Sequence, residues 1–561
     1  MIKINLWGNE SMRRIGMLGL SFLLLVVMLA VTACGKNEGN AEVSKTPDVS
    51  DTSDTGQPAG EKVSLTVFTT LPSYIKDLET NTFTKLLEEK FNIDFTWDVT
   101  TEPAVKKPLI LTSGDYPEIF YNIPITKYEQ LKYGKDGIFI PLNDLIDQYA
   151  PNFKKAMAEI SYLRGDITAP DGNIYALPAI SECLQCNYAQ KYWINTAWLK
   201  QVGMEMPTTT DQFYEVLKAF KEQDPNQNGQ HDEIPLSGAT NGWHTQVTGF
   251  LMNAFIYNNS SNYFTMENGT IDMAANKPGW QKGLQYMNRL YTEGLIDPEA
   301  FTQDNNQLQA KVNNKPDPRV GVVAVGAYNN VTIQSEEEKL REDFDAVPPL
   351  VGPDGVQLTG YFGGIASSLF AITDKATKEQ QIAAIKFVDY LYSEEGTLFS
   401  QFGPNQEFWK PAEQGELDFN GNQAKYKFDN AALNSAGANQ NDSWSNYGVF
   451  NRSAEFNASD VGPQDIYALD ASQVRLYKET INKYVGKEPK EVPPASLFVD
   501  PADVDELSQL SVQINDYITT SMLKFITGQM DVEKGWDTYV KGLDNLNLAR
   551  YLEINNNAQG N

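Results

Sequence analysis

Apolar and polar positions follow two different periods along the first part of the chain. Residues 62–70 place Val63, Leu65 and Val67 at every second position, which predicts a half-buried strand. In the segments that follow, the spacing of apolar residues alternates between a helical period and a strand period. The predicted order is strand, helix, strand, helix, strand over residues 62–70, 81–91, 93–99, 108–113 and 117–121. Such alternation is typical of a parallel sheet covered by helices, in which ligands bind at the carboxyl ends of the strands.

Beyond residue 138 the pattern is mainly helical. An apolar run at 320–325 predicts a strand buried on both faces, and 361–372 suits another strand. Residues 411–465 are rich in Asn, Gly, Ser and Asp, so we interpret them as loops over one lobe. Helical periods are found at residues 211–221, 280–291, 378–392, 507–527 and 532–546. Because single cores usually stop growing near about 250 to 300 residues, a chain of 561 residues is expected to be an α/β protein with at least two lobes.

Composition excludes several classes of function. The chain carries 45 Lys and Arg against 73 Asp and Glu, a formal net charge of −28, and its basic residues are not segregated. A polyanion would be repelled, so no nucleic acid is expected as a partner. With only two histidines, few ways remain to build a His-rich zinc site or a Ser-His-Asp relay.

The amino-terminal segment has the layout of a secretory signal. Arg13 and Arg14 precede an apolar run, and small residues lead to Cys34. The segment around this cysteine resembles the lipobox of bacterial lipoproteins, in which the cysteine carries diacylglycerol, with palmitate as an expected acyl chain, and becomes the mature amino-terminus. The alternative is an uncleaved membrane anchor, and the start stays open between Met1 and Met12. In either case the body is expected on the extracytoplasmic face of the bacterial cell membrane.

The signal is followed by a polar segment without aromatic residues or a regular period. Such a segment cannot bury enough apolar surface to offset the entropy lost on ordering. We therefore predict a lipoprotein signal peptide over residues 1–33 and a flexible tether over 34–62.

Residues 224–235 have the spacing of an EF-hand calcium loop. Oxygen-bearing side chains stand at loop positions 1, 3, 5 and 9, glycine stands at position 6, and the carbonyl of position 7 would face the ion. Position 12 is Pro235 instead of a bidentate glutamate, and Glu233 is the nearest substitute. The alternative is an ordinary Asn-Gly turn after a helix. We expect a structural calcium ion, because no open coordination position suggests hydrolysis.

Residues 192–235, YWINTAWLKQVGMEMPTTTDQFYEVLKAFKEQDPNQNGQHDEIP, resemble the bacterial extracellular solute-binding lipoproteins (family 1) of carbohydrate ABC importers. The resemblance is to the subgroup that includes alginate-oligosaccharide-binding proteins, whose calcium loop has the form D-P-N-x-N-G-x-x-D-E-I-P. Residues 112–119, 172–178 and 525–543 match further family elements, whereas 402–407 departs from the family's Gly-Glu-Gly stretch and puts ligand contacts there in doubt. The calcium ligands that the resemblance implies are Asp224, Asn226, Asn228, the Gln230 carbonyl, Asp232 and Glu233.

The resemblance also implies a periplasmic-binding-protein-like fold of type II, with two lobes joined by hinge crossovers around a ligand cleft. We predict the first lobe over residues 63–180 and 360–410, and the second over 181–359 and 411–561. Sugar binding needs aromatic platforms beside amide groups, although most aromatic side chains in any protein are core, and that alternative stays open for each candidate. The predicted ligand contacts are Tyr74, Tyr121, Asn122, Trp243, Tyr361, Trp409 and Trp444.

Cys183 and Cys186 are close enough in sequence for a local disulfide outside the cell. A redox-active Cys-x-x-Cys is the alternative, but that role needs a strand-to-helix setting that the preceding segment does not offer.

These patterns together predict a lipid-anchored receptor that captures an oligosaccharide and delivers it to the permease subunits of an ABC transporter. The protein is expected to be a monomer, to contact the membrane through its amino-terminal lipid, and to catalyse no reaction. Two alternatives stay open: a receptor for peptides or another solute on the same scaffold, and a surface glycoside hydrolase or lyase. The sequence does not decide which sugar is bound or whether it is neutral or a uronate.

Overall fold

The structure is a computed structural model that describes residues 61–71, 73–314, 318–333, 335 and 340–559. It contains two separate four-stranded sheets, each packed in a hydrophobic core of its own. This arrangement confirms the predicted two-lobed α/β fold. The predicted signal peptide, Cys34 and the predicted tether up to residue 60 lie outside the described residues.

Within the described ranges the strands are β1 Val63–Thr69, β2 Ile93–Val99, β3 Ile119–Ile125, β4 Ile180–Ser181, β5 Tyr192–Asn195, β6 Ile234–Ser237, β7 Phe264–Glu267, β8 Thr270–Met273, β9 Val320–Ala324, β10 Phe344–Ala346, β11 Ser368–Ile372, β12 Trp409–Pro411, β13 Tyr426–Phe428 and β14 Asn451–Arg452. The α-helices are α1 Thr82–Phe91, α2 Pro103–Ser113, α3 Lys127–Lys135, α4 Asn143–Tyr149, α5 Pro151–Glu159, α6 Leu163–Ile167, α7 Leu184–Asn187, α8 Thr196–Gln201, α9 Thr210–Glu222, α10 Val247–Met252, α11 Pro278–Thr292, α12 Asn305–Val312, α13 Leu340–Asp343, α14 Lys378–Leu391, α15 Glu394–Phe402, α16 Asn430–Ala436, α17 Ala454–Ala458, α18 Ser472–Lys483, α19 Val504–Ile526, α20 Val532–Asn545 and α21 Leu548–Gln559.

The sheet of the first lobe has the strand order β11, β3, β1, β2. The strands β1, β2 and β3 are parallel, and β11 pairs antiparallel with β3 after the chain has returned from the second lobe. Helix α1 begins after Asn81, whose side chain accepts hydrogen bonds from the amides of Phe83 and Thr84 at 3.0 and 3.4 Å. The predicted strand, helix and strand over residues 62–99 are confirmed. Helix α2 is longer than predicted because it begins at Pro103, a residue suited to the first turn of a helix.

The sheet of the second lobe has the strand order β10, β5, β9, β6. Strand β9 is buried along its whole length, which confirms the strand predicted from the uncharged run at 320–325. It pairs parallel with β6 and antiparallel with β5. The loops that follow β6 and β9 therefore leave the same edge of this sheet, which is the edge where ligands bind in sheets of this kind.

The two cores show where the chain passes between the lobes. The core of the first lobe takes residues up to Ile180, then a stretch that begins at Ile365, and finally residues 444–449. The core of the second lobe takes Tyr188 to Leu350 and then residues from Leu476 onward. The chain thus crosses near residues 180–188, 350–365 and 449–476.

The predicted bounds of the second lobe are wrong for residues 444–449 and for Phe498, because these residues pack in cores of the first lobe. The indole nitrogen of Trp444 donates a hydrogen bond to the Thr84 hydroxyl at 2.9 Å, and its ring lies 5.1 Å from that of Phe83. These partners are more than 300 residues away in sequence. A local sequence pattern cannot indicate that the chain returns to the first lobe after so many residues.

Two segments differ from their predicted secondary structure. Only Ser368–Ile372 of the predicted strand 361–372 forms a strand, because the residues before it lead across from the second lobe and include Gly364 with a φ of +105°. Residues 411–465 contain the strands β13 and β14 and the short helices α16 and α17 instead of loops alone, and β13 pairs with β12 at the start of this range. No helix within the described ranges combines the length and the apolar content needed to cross a membrane.

Candidate ligand cleft and calcium loop

The side chain of Asn122, in β3, forms hydrogen bonds with two other segments at the carboxyl edge of the first sheet. Its side-chain amide donates to the Thr70 hydroxyl at 3.0 Å, and its amide oxygen accepts from the backbone N–H of Gly448 at 2.9 Å. The residue adopts a φ of +53° inside β3, which asparagine tolerates better than most residues. Asn122 therefore holds the end of β1 and the returning segment in place, and it is half-buried at the edge where we predicted a ligand contact.

Three of the predicted ligand contacts are instead side chains of hydrophobic cores. Tyr121 and Trp444 are 1% and 0% exposed, and their rings lie 5.5 Å apart in the core of the first lobe. Trp409 packs in a small separate core, and its indole nitrogen donates to the Gly403 carbonyl at 2.7 Å. A ligand cannot reach these rings without unpacking the cores, so the alternative interpretation as core residues holds for all three.

Trp243 has the surroundings of an aromatic platform. It follows β6 at the binding edge of the second sheet and is 36% exposed. Its ring lies against Gly326, where a Cβ atom would come within 2.4 Å of Trp243 Cε3. The backbone N–H of Gly326 also donates to the Trp243 carbonyl at 2.9 Å. The backbone at Gly326 thus supports the indole while part of it stays open to solvent.

A row of rings connects Trp243 with the second crossover. The ring centroid of His244 lies 5.6 Å from that of Trp243 and 4.6 Å from that of Phe362. Burial and the nearby charge of Lys191 lower the pKa of His244 to about 4, so its imidazole is neutral at pH 7. Sequence reasoning missed His244 and Phe362, because the contact between a loop of the second lobe and a crossover has no local signal.

Tyr361 and Tyr74 are both half-buried. The Tyr361 carbonyl accepts a hydrogen bond from the Tyr257 hydroxyl at 3.1 Å, and the Tyr361 ring lies 5.2 Å from that of Tyr188. Burial raises the pKa of both Tyr361 and Tyr74, so each phenol stays protonated at neutral pH. Each can therefore offer a ligand both a ring edge and a hydroxyl that donates and accepts hydrogen bonds.

The loop at 224–235 is organised by its own side chains. The Asp224 carboxylate accepts from the amides of Asn228 and Gly229 at 3.1 and 2.9 Å. The Asn226 and Asn228 side-chain oxygens accept from the amides of Asn228 and Gln230 at 3.1 and 2.7 Å. Gly229 has a φ of +77°, which explains why glycine stands at the sixth position of the loop.

Glu233 supports the fit of a cation to this loop. Both of its carboxylate oxygens are buried and have no hydrogen-bond partner among the described residues. Burial raises the pKa of Glu233, and the neighbouring carboxylates of Asp224 and Asp232 raise it further. A cation bound beside Glu233 would compensate both the burial of its carboxylate and the repulsion from the neighbouring carboxylates. Among the residues that the structure describes, no group of three or more His, Cys, Asp and Glu side chains could hold a metal by itself, so Asn and carbonyl oxygens would have to complete the site.

Cys183 and Cys186 form a disulfide at the first crossover, between β4 and the core of the second lobe. Cys183 follows the two-residue strand β4 and directly precedes the single turn of α7, so a short strand-to-helix setting is present that the sequence did not indicate. Cys186 is exposed. The predicted pairing is thus present in the structure, and it closes a short loop within a segment that joins the two lobes.

Replacing both cysteines with serine is expected to lower the free energy of unfolding by at most about 2 kcal/mol, because the entropy gained by opening such a short loop is small. The measurement is a chemical denaturation midpoint. Reductant should shift the midpoint of the wild-type chain by the same amount and leave the double variant unchanged. A wild-type midpoint that does not respond to reductant would contradict the disulfide assignment.

The chain matches one protein family and is similar to two named bacterial proteins. A family model described as bacterial extracellular solute-binding protein matches residues 70–398, which is more than half of the chain. The fructooligosaccharide ABC transporter substrate-binding protein FusA of Streptococcus pneumoniae is 29% identical over 548 residues, which cover 95% of this chain and 96% of FusA. Lipoprotein LipO of Bacillus subtilis is 26% identical over 469 residues, which cover 80% of this chain and 82% of LipO.

A solved structure has the same overall fold. The S. pneumoniae FusA complex with kestose matches with a TM-score of 0.65 and 27% identity, covering 89% of this chain and 99% of that one. A structure of a FusA EF-hand mutant in complex with fructo-nystose matches with the same values. The motifs, the two-lobed fold and the family match agree, and the chain belongs to the family of bacterial extracellular solute-binding proteins.

Proposed function

We propose that this chain is a lipid-anchored receptor that captures an oligosaccharide outside the cytoplasm and delivers it to the permease subunits of an ABC transporter. The observation that carries the proposal is the Trp243 indole, which is supported by Gly326 at the binding edge of the second sheet and partly open to solvent. Flat aromatic surfaces of this kind suit the CH faces of sugars. The similarity to FusA, a fructooligosaccharide-binding protein, supports a carbohydrate as the ligand.

The proposed contacts are the candidates that remain outside the cores. Trp243 provides the platform from the second lobe, Tyr361 lies at the second crossover, Tyr74 follows β1, and Asn122 lies within β3 of the first lobe. These residues come from both lobes and from a segment that joins them. A ligand that touches all of them would favour a closed arrangement of the lobes, which is the signal that a transport partner can recognise.

The proposal also includes a lipid anchor at the amino-terminus and a calcium ion in the second lobe. Cys34 is the proposed lipid attachment point, which the lipobox pattern and the similarity to lipoprotein LipO support. Calcium is the proposed ion of the 224–235 loop, which the unpartnered Glu233 carboxylate and the EF-hand of FusA support. Its role would be structural, because every proposed ligand comes from one short segment of the second lobe. We further propose that the receptor acts as a monomer.

We propose that the protein binds its ligand without converting it. The family is defined by solute binding, and a neutral imidazole at His244 beside aromatic rings suits recognition of an uncharged surface. A hydrolase would instead place a pair of carboxylates on either side of a glycosidic bond.

The test is calorimetric titration of the full chain in detergent with kestose, a galacturonate trisaccharide and a tripeptide, with chromatography of each mixture after long incubation. We expect binding of an oligosaccharide and no new products. Release of shorter sugars would identify an enzyme, and binding of the tripeptide alone would identify a receptor for another class of solute.

A further inference from the structure

A cavity of about 260 Å³ lies between the first two crossovers. The first crossover contributes Ser181 and Asn187 to its lining, the second contributes Phe362 and Ser367, and Tyr162 comes from the turn before α6 in the first lobe. Ligand pockets for larger molecules usually exceed about 300 Å³, so this volume suits a single sugar unit. Nothing in the sequence pattern indicated the cavity, because its walls come from three distant segments.

The lining carries no charged side chain, although the chain as a whole has a net charge of −28. Two carboxylates close to the lining residue Tyr162 have partners of their own. Asp166 accepts from the backbone N–H of Ile365 at 2.7 Å and lies 3.8 Å from the Lys127 ammonium. Glu182 accepts from the backbone N–H of Ala454 at 3.3 Å. A carboxylate brought in by a ligand would lose water here without gaining a cation, which is unfavourable.

Three hydroxyl groups of the lining are available to a ligand. The side chains of Tyr162, Ser181 and Ser367 have no hydrogen-bond partner among the described residues, and the Asn187 backbone carbonyl accepts from the backbone N–H of Phe362 at 3.0 Å. Hydroxyls both donate and accept, as the hydroxyls of a sugar do. The Phe362 ring adds an apolar surface, and it begins the row of rings that leads through His244 to Trp243.

We propose that this cavity binds the terminal, uncharged sugar unit of the ligand. The inference rests on the proposed function and adds which part of an oligosaccharide lies at the hinge. The crossovers form the back wall, so the remaining units leave on the open side, along the ring row toward Trp243. A terminal unit in this position touches both crossovers, and its binding therefore depends on how the two lobes are arranged.

The proposal is tested by filling the cavity. Ser181→Leu places a larger apolar side chain at the wall, and its dissociation constant for kestose is expected to rise about tenfold or more. Tyr162→Phe removes only one hydroxyl and is expected to raise the constant about fivefold. Ser161→Leu is the matched control, because Ser161 is exposed beside Tyr162 but does not line the cavity, and its constant should stay unchanged.

All variants are made in the full chain, and denaturation midpoints verify that each one folds. If wild type binds kestose and both cavity variants bind it equally well, the cavity assignment is overturned while the proposed function stands. If wild type prefers the galacturonate trisaccharide, the assignment of an uncharged unit is overturned. If wild type binds no oligosaccharide at all, the proposed function fails and the cavity assignment fails with it.

Discussion

Replacing Trp243 with alanine is expected to weaken oligosaccharide binding by about 30-fold, equivalent to about 2 kcal/mol, since truncating a central aromatic anchor commonly has an effect of this size. The indole is partly exposed and held by the backbone at Gly326, so the free protein already presents the ring in one position. Little ordering is then needed when a sugar stacks on it, and the loss on truncation is correspondingly large. Calorimetric titration with kestose measures the effect.

Two further variants separate stacking from a general disturbance of the loop. Trp243→Phe keeps an aromatic face and should recover most of the affinity. Gly326→Ala leaves the tryptophan in place but introduces a Cβ atom where the ring now lies, 2.4 Å from Cε3, so the ring must shift and affinity should fall. Unchanged affinity in Trp243→Ala would show that the platform lies elsewhere in the cleft.

Removing calcium with a chelator is expected to lower the unfolding temperature of the second lobe by several degrees. An ion present at about 100 times its dissociation constant stabilises the folded state by about 2.7 kcal/mol, and this stabilisation disappears with the ion. Removal also leaves the carboxylates of Asp224, Asp232 and Glu233 close together, and the Arg319 guanidinium, 3.0 Å from the Asp232 carboxylate, offsets only part of their charge. Differential scanning calorimetry before and after exhaustive dialysis against EDTA, followed by re-addition of Ca²⁺, measures the change.

Variants within the loop make this result specific. Glu233→Gln removes the carboxylate that has no partner among the described residues, and the effect of the chelator on the unfolding temperature should largely disappear. His231→Ala is the matched control, because His231 is exposed in the same loop and is not a proposed ligand. An unfolding temperature that does not respond to EDTA in the wild-type chain would refute the calcium assignment.

Secondary structure was predictable wherever its cause is local. The alternation in β1 and the helical periods that became α9, α11 and α14 act between neighbouring residues. The calcium loop could be recognised for the same reason, since all its proposed ligands lie within residues 224–233.

The exposure of individual aromatic residues was not predictable in this way. Tyr121 ends the third predicted strand and Trp444 lies in a segment rich in Asn and Ser, which suggested ligand-facing loops, yet the two residues pack against each other in one core. Their burial depends on a contact between segments that are more than 300 residues apart. The choice between a platform and a core residue was therefore open until those segments were placed together.

The sequence by itself determined the α/β class, the presence of two lobes, the family and the calcium-type loop, because each depends on composition, on periods within one element or on spacing within one short segment. Only the tertiary structure decided that Trp243 lies against Gly326, that Trp409 and Trp444 are core residues, and that the first two crossovers enclose an uncharged cavity. Those features arise where distant segments meet. Which distant segments come into contact depends on the packing of the whole chain, so local sequence patterns cannot predict it.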